Sequence, residues 1–479
     1  MPSCNHDIET MAELMQDIKE RDAIDFASGD VGSLFRRMFL PTLLGMVSMV
    51  ILNLADGAFV GHGAGTEALA AINIAAPIFN LMTGIGIMFG IGTSVISSIH
   101  LSKGNVKAAC INTTQALIGS FVLMSLLSLM ILTNLPATCR LFGSSEALMP
   151  LASSYLKWVA FFLTFCILGN VGSFVIRLDG SPKYAMGCTL FASLLNIFLD
   201  WLFIFPFGWG LEGAAIATSI SFTLSAVAVM YYLFFKAKTL HIYRLRMTFK
   251  SLVLTIRNLW YQIKAGFSGM LGEIAISGTM IIGNFVFIRH LGEDGVAAFG
   301  VACYCMPVIF MLANAIVQSI QPIISFAHGA GDSVRLKKAG RIAIRSGIVA
   351  GLFSTLLLTV GARWVTMIFI PQGEHAYELC VSGMPYFGIA GLFISVNLVL
   401  VGYLQSIEQS SLATVFTLLR GFILVIPSFL LLPQALGAKG IWLAIPLAEA
   451  ITLLVMGVIS RCCSFGRDPR RSRSQGSQA

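Results

Sequence analysis

Residues 193–218 read SLLNIFLDWLFIFPFGWGLEGAAIAT, and this stretch decides both the fold class and the chemistry. It sets an amide (Asn196) and a carboxylate (Asp200) four residues apart inside an apolar run. Residues at i and i+4 share one face of a helix, so both groups point the same way. The segment 206–210 breaks the run, and the apolar stretch beyond it carries Thr218 back to a similar depth. An acid in hydrocarbon is costly, and such residues usually face a cavity or a pathway. The hairpin reads as a cation or proton site in a transporter. The bland alternative is a polar cluster that packs helices.

Composition supports the membrane setting. Of 479 residues, 56% are hydrophobic and 11% charged, with a mean hydropathy of +0.83. Soluble domains carry about 25% charged residues, so this chain is a membrane protein of many spans. A net charge of +8 would suggest nucleic acid in a soluble protein. Here the better account is basic residues in cytoplasmic loops that set orientation, with no nucleic-acid partner. The ten cysteines show no CxxC pair, so neither a zinc site nor a disulfide framework is indicated, and Cys303 and Cys305 read as core. The first 30 residues hold eight acidic groups and no apolar signal core, so the first span must direct insertion. Residues 11–24 fit a short amphipathic helix or a polar tail.

Apolar runs of roughly 20 residues give twelve candidate spans. They start near Met38, Ala71, Ala116, Leu151, Ala185 and Gly213, then near Ala265, Val296, Ile342, Met384, Ser411 and Ile441. An even count puts both termini on one side, and charge says which. Assigning the tails and even-numbered turns to the cytoplasm collects 25 of the 31 Lys and Arg residues there. Arg140, Arg289, Arg363 and Lys439 fall outside, while Lys157 and Arg420 lie within spans.

The basic connector after Lys236 divides the spans six and six. The expected organisation is a tail (1–35), an N-lobe (36–236), a cytoplasmic linker loop (237–263), a C-lobe (264–460) and a basic tail (461–479). An internal repeat supports the cut. FVGHGAGTEALAAINIA, from Phe59, aligns with FIRHLGEDGVAAFGVA, from Phe287, with one gap. Each copy runs on through an apolar span to a basic turn, LSKGNVKAA in one and HGAGDSVRLKKA in the other. Six spans per unit imply two bundles related by a pseudo-twofold along the membrane normal. The expected fold class is an all-α integral membrane protein.

Asp56 sits near the outer end of the first span, in VILNLADGAFVGHG, and its repeat counterpart is Asn284. The alternative for Asp56 is an interfacial acid facing water. Two carboxylates in one low-dielectric pocket do not both ionise easily; a proton or a cation neutralises them. Oxygen-only ligands suit a hard ion such as sodium.

At this point the sequence resembles the multidrug and toxic compound extrusion (MATE) family, bacterial type. The matching segments are LPTLLGMVSMVILNLADGAFVGHG, RLDGSPKYAMGCTLFASLLNIFLDWLFIF, GLEGAAIATSI, QPIISFAHGAGD and LGAKGIWLAIPLAE, which cover nearly all of the chain between the tails. The resemblance implies a twelve-span, two-lobe exporter of amphipathic, often cationic compounds in exchange for H+ or Na+. It implies an amino-lobe cation site at Asp56, Asn196, Asp200 and Thr218, with the backbone carbonyl of Ala214. The family's first-span proline falls on Pro41, where a missing helix hydrogen bond permits a bend. In the carboxyl lobe, Glu273 resembles a second cation or substrate site of one branch. That branch's tenth-span acid is absent here, and only Asn397 is on offer. Glu273 therefore fits either drug binding or a bond to neighbouring helices.

Other candidates have structural readings. Arg177 and Asp179 pair with each other or cap helices; Arg420 and Glu449 form an ion pair or snorkel. His62 and His290 cap helices, and the glycines of the second span favour close helix approach. The chain contains no GxxxxGK[ST] loop and no catalytic cluster, so neither an ATP-driven pump nor a membrane enzyme is expected. A flippase for a lipid-linked precursor is the alternative transporter, though its cavity would need more than Arg420 and Lys157. The expected protein is a monomer in the bacterial inner membrane, both termini cytoplasmic, without a cofactor beyond its coupling ion.

Overall fold

The computed structural model describes residues 26–462 apart from 143, 145, 147, 246 and 247. The amphipathic segment expected over 11–24 and the tail arginines from Arg467 onward lie outside the described residues. The described regular elements are helices, and eleven of them are long and apolar enough to cross a membrane.

One of these, Phe249–Ala330, has 82 residues. Straight, it would run about 120 Å, four times a bilayer core, so it holds two crossings. They meet at Gly292, whose φ of 67° and ψ of −161° no side-chain-bearing residue adopts cheaply. The chain is a multi-pass membrane protein with twelve spans. The first six are Val31–Gly63, Thr66–Ser102, Val106–Thr133, Met149–Leu178, Pro182–Ile204 and Gly210–Tyr231. Spans seven and eight share the long helix; Ser333–Val360 is the ninth. The tenth joins His375–Gly388 to Ala390–Ser406, the eleventh runs from Ser410–Leu418 into Val425–Leu436, and Ala438–Cys462 is the twelfth.

The repeated basic turns end alike. Asn105 accepts from the Ala108 amide at 3.2 Å, and Asp332 accepts from the Val334 and Arg335 amides at 3.1 and 2.9 Å. Each caps the next span and so fixes where it starts.

By internal packing the chain forms two units, Met1–Ile263 with Gln318–Ala330, and Lys264–Val317 with Gly331–Ala479. In the first, span one packs on span five, and span four on spans two and six. In the second, span nine packs on ten, and eleven on twelve. The core of the second unit centres on Phe287, stacked on Phe299 at 4.4 Å and edge-on to Trp442 at 4.9 Å.

The residues expected as a linker loop (237–263) are in part helical, because helix begins at Phe249 and continues into span seven. Its inward face is polar. Gln115 donates to Thr255 at 2.8 Å, Asn258 to Gln115 at 3.0 Å, and Gln262 to the Asn112 carbonyl at 3.0 Å. Leu252, Ile256 and Trp260 point outward and are exposed. A polar face at helical spacing looked like a loop in sequence because its partners are far away in the chain.

Arg177 and Asp179 do not pair with each other. Asp179 accepts from the amides of Lys238, Thr239 and Leu240 at 3.1, 2.9 and 2.8 Å and from the Tyr232 hydroxyl at 2.8 Å, which fastens the connector. Arg177 donates instead to Gln318 at 2.9 Å.

The second-span glycines do sit at close approaches. A Cβ on Gly92 would overlap the Gln262 carbonyl oxygen, and one on Gly90 the ring of Phe174. Gly92→Val is expected to cost about 1–3 kcal/mol by overpacking backbone against backbone. Thermal melting of the purified variant checks it; an unchanged midpoint would show the contact to be loose.

Candidate functional site

Spans one and five run side by side with little between them. Gly45 lies against Met186 and Thr189, Ser193 Oγ reaches Ser48 Oγ at 3.5 Å, and Gly63 lies against Ile204 and Phe205. These contacts advance in the same direction along both helices. Asp56, between Ser48 and Gly63, therefore stands level with the stretch that carries Asn196 and Asp200. The two carboxylates interact electrostatically.

Span six adds Thr218, whose hydroxyl accepts from Asn196 Nδ2 at 3.3 Å. Ala214 is buried one turn before it. The structure thus gathers Asp56, Asn196, Asp200 and Thr218 from spans one, five and six.

The unmet valences are informative. Asp200 is 0% exposed, and neither of its oxygens has a hydrogen-bond partner; Asp56 Oδ1 is also buried without one. A buried carboxylate with no donor around it is far too costly to stay ionised alone. Two acids side by side make a place that favours positive charge. The donor set is carboxylate, amide and hydroxyl oxygen, which fits a proton or a hard cation. Among the described residues no group of three or more His, Cys, Asp and Glu could hold a metal ion.

Tyr155 in span four, absent from the sequence reading, interacts electrostatically with both Asp56 and Asp200. An aromatic in an apolar span carries no pattern that separates a site residue from core, so its place became visible only through packing. Pro41 lies buried in span one, fifteen residues before Asp56, and the helix passes through it. Next to it Thr42 is 1% exposed with its hydroxyl unpartnered.

The carboxyl-lobe candidates sit in different settings. Asn284 is exposed. Asn397 is fully buried and donates to Glu449 Oε2 at 2.6 Å and to its carbonyl at 2.9 Å. Glu273 is half-buried and makes no hydrogen bond among the described residues. Arg420 and Glu449 do form an ion pair, at 2.7 Å, with both side chains buried. His62 Nδ1 lies 2.8 Å from the Ala58 carbonyl of its own helix, in keeping with a helix-end role.

Comparison with known proteins adds the following. The MatE family model matches residues 41–202 and again 269–430, two copies of equal length. A protein of Shewanella oneidensis named FAD transporter is 28% identical, over 91% of this chain and 95% of that protein. The multidrug export protein MepA of Staphylococcus saprophyticus is 24% identical, over 89% of this chain and 93% of its own length. Among solved structures, a multidrug resistance MATE family transporter of the MOP superfamily in an outward-facing conformation superposes with a TM-score of 0.84. It is 23% identical and is matched over 91% of this chain and 96% of that one, a likeness of fold.

Proposed function

The chain belongs to the MatE family of membrane transporters, and from that premise we propose that it is a secondary active exporter of amphipathic or cationic organic compounds. Entry of H+ or Na+ drives it. The observation that carries this reading is the buried, unpartnered carboxylate of Asp200 beside Asp56, whose Oδ1 is also buried without a partner, with Asn196 and Thr218 on the same side.

The cycle follows from electrostatics. With both acids charged and no cation bound, the site holds uncompensated negative charge in a low-dielectric interior, which favours opening to the side where cations are plentiful. Binding a proton or sodium ion removes that penalty and lets spans one and five close. Pro41 gives span one a place to bend, since it lacks the amide that would tie it to the preceding turn. Tyr155 supplies a hydroxyl that orients the bound ion or relays a proton. One elementary charge moved through 100 mV yields about 2.3 kcal/mol, enough to concentrate a neutral drug about fiftyfold per ion.

The chain lies in a bacterial cytoplasmic membrane as a monomer, both ends in the cytosol. The distribution of Lys and Arg among its turns supports that orientation. A second reading is export of an anionic dinucleotide, as the name of the Shewanella relative suggests. Arg420, buried in the second unit, favours it.

Proteoliposomes separate these possibilities. Ethidium efflux should follow an imposed pH gradient or an imposed sodium gradient, and FAD should not move under either. If FAD alone is carried, the cationic-substrate reading is wrong; if neither gradient drives either compound, ion coupling is wrong.

A further inference from the structure

The second unit carries a charged cluster that the coupling site does not use. In span eleven the helix widens into a π-turn at Leu419–Ile423, a feature often found where a side chain serves function. The turn carries Arg420, which is 6% exposed and lies with its guanidinium over the Phe310 ring, 5.7 Å from the centroid.

Glu449 occupies only one edge of that guanidinium. Nε donates to Oε1 and Oε2 at 3.0 and 3.1 Å, and Nη2 donates to Oε1 at 2.7 Å. Asn397 holds the far side of the acid at 2.6 Å, so the acid is fixed on that edge. Nη1 donates to no described residue. The end of the fork, made by Nη1 and the second hydrogen of Nη2, is left open.

Arg420 and Glu449 line a cavity of about 30 Å3 together with Thr279, Thr417, Met306 and Phe310. This is room for about two waters, the bulk of one carboxylate group. The rest of its wall is mainly apolar, from Ile276, Ile394, Val425 and Ile445, so the ion pair and the two threonine hydroxyls are its polar features.

The family's repeat makes the placement more telling. In the two matched segments span eleven stands where span five does. At the offset of the two matched segments, Asn196 falls on Leu424 and Asp200 on Ser428. The second copy has no acid there. It carries Arg420 one turn earlier instead, so its polar centre presents a donor fork rather than bare acceptors.

From this geometry we infer that the second unit binds the carboxylate of an organic anion, end-on to the free Nη1–Nη2 edge of Arg420. A planar two-oxygen group matches that fork. The inference does not depend on the coupling ion, because binding at this site needs no gradient.

The test uses the full-length purified chain in detergent, titrated calorimetrically with benzoate and with benzylamine, which match in shape and differ in charge. Benzoate should bind and raise the melting temperature, and benzylamine should do neither. Glu449→Gln keeps an acceptor for Arg420 and removes the nearby negative charge, so benzoate should bind about tenfold more tightly. The charge-neutral double variant Arg420→Met with Glu449→Leu, confirmed folded by its melting curve, should lose benzoate binding. No benzoate binding by wild type and Glu449→Gln, no gain in Glu449→Gln, or retained binding in the double variant would each overturn the assignment.

Discussion

Asp200→Asn is expected to abolish ion-driven efflux while the protein reaches the membrane in normal amount. Asp200 is 0% exposed with both oxygens unpartnered, on the helix face it shares with Asn196. Asparagine has nearly the same shape, so packing against span one survives. It carries no charge in either state, so it neither takes up a proton nor neutralises a cation. Asp56 is left as a single acid, so the repulsion between two neighbouring carboxylates, which ion entry relieves, is gone. Ethidium export in proteoliposomes should fall by at least about tenfold, towards background, under either gradient. Melting should be unchanged or improved, because a costly buried acid has been replaced by a neutral amide. Efflux at the wild-type rate in this variant would remove Asp200 from the coupling mechanism.

The largest stability effects should come from the second unit. Arg420 and Glu449 are tied by three hydrogen bonds in a buried setting, with Asn397 completing the acid's shell. Arg420→Met alone leaves Glu449 as an uncompensated buried charge, and Glu449→Leu alone does the same to Arg420. Each single change is expected to cost about 3–5 kcal/mol. The double change removes both charges and keeps the volume, so it should cost far less than the sum of the singles. Thermal melting of the four proteins in one detergent reads the cycle. Additive losses would mean that the two side chains do not act as a pair, despite their 2.7 Å contact.

Much of the candidate site was legible because apolar spans make any acid conspicuous. Asp200 stands out in FLDWLF, and helical spacing sets Asn196 on the same face. Other parts were not. Tyr155 has no sequence signature, since an aromatic ring is equally at home in core, lipid or site. The helical start of span seven reads as loop in sequence because the polar face of Thr255, Asn258 and Gln262 has its partners more than a hundred residues away. Arg177 sits two residues from an acid, yet it bonds Gln318, while Asp179 fastens the backbone of residues 238–240.

By itself the sequence determined the twelve spans, the repeat and the residue types able to hold an ion, because burial in lipid leaves few tolerable places for a charge. Only the tertiary structure decided which polar groups meet. Neighbouring helices and their rotation are set by where small residues such as Gly45, Gly63 and Gly92 let backbones approach, and that packing is a property of helix pairs, not of any one span.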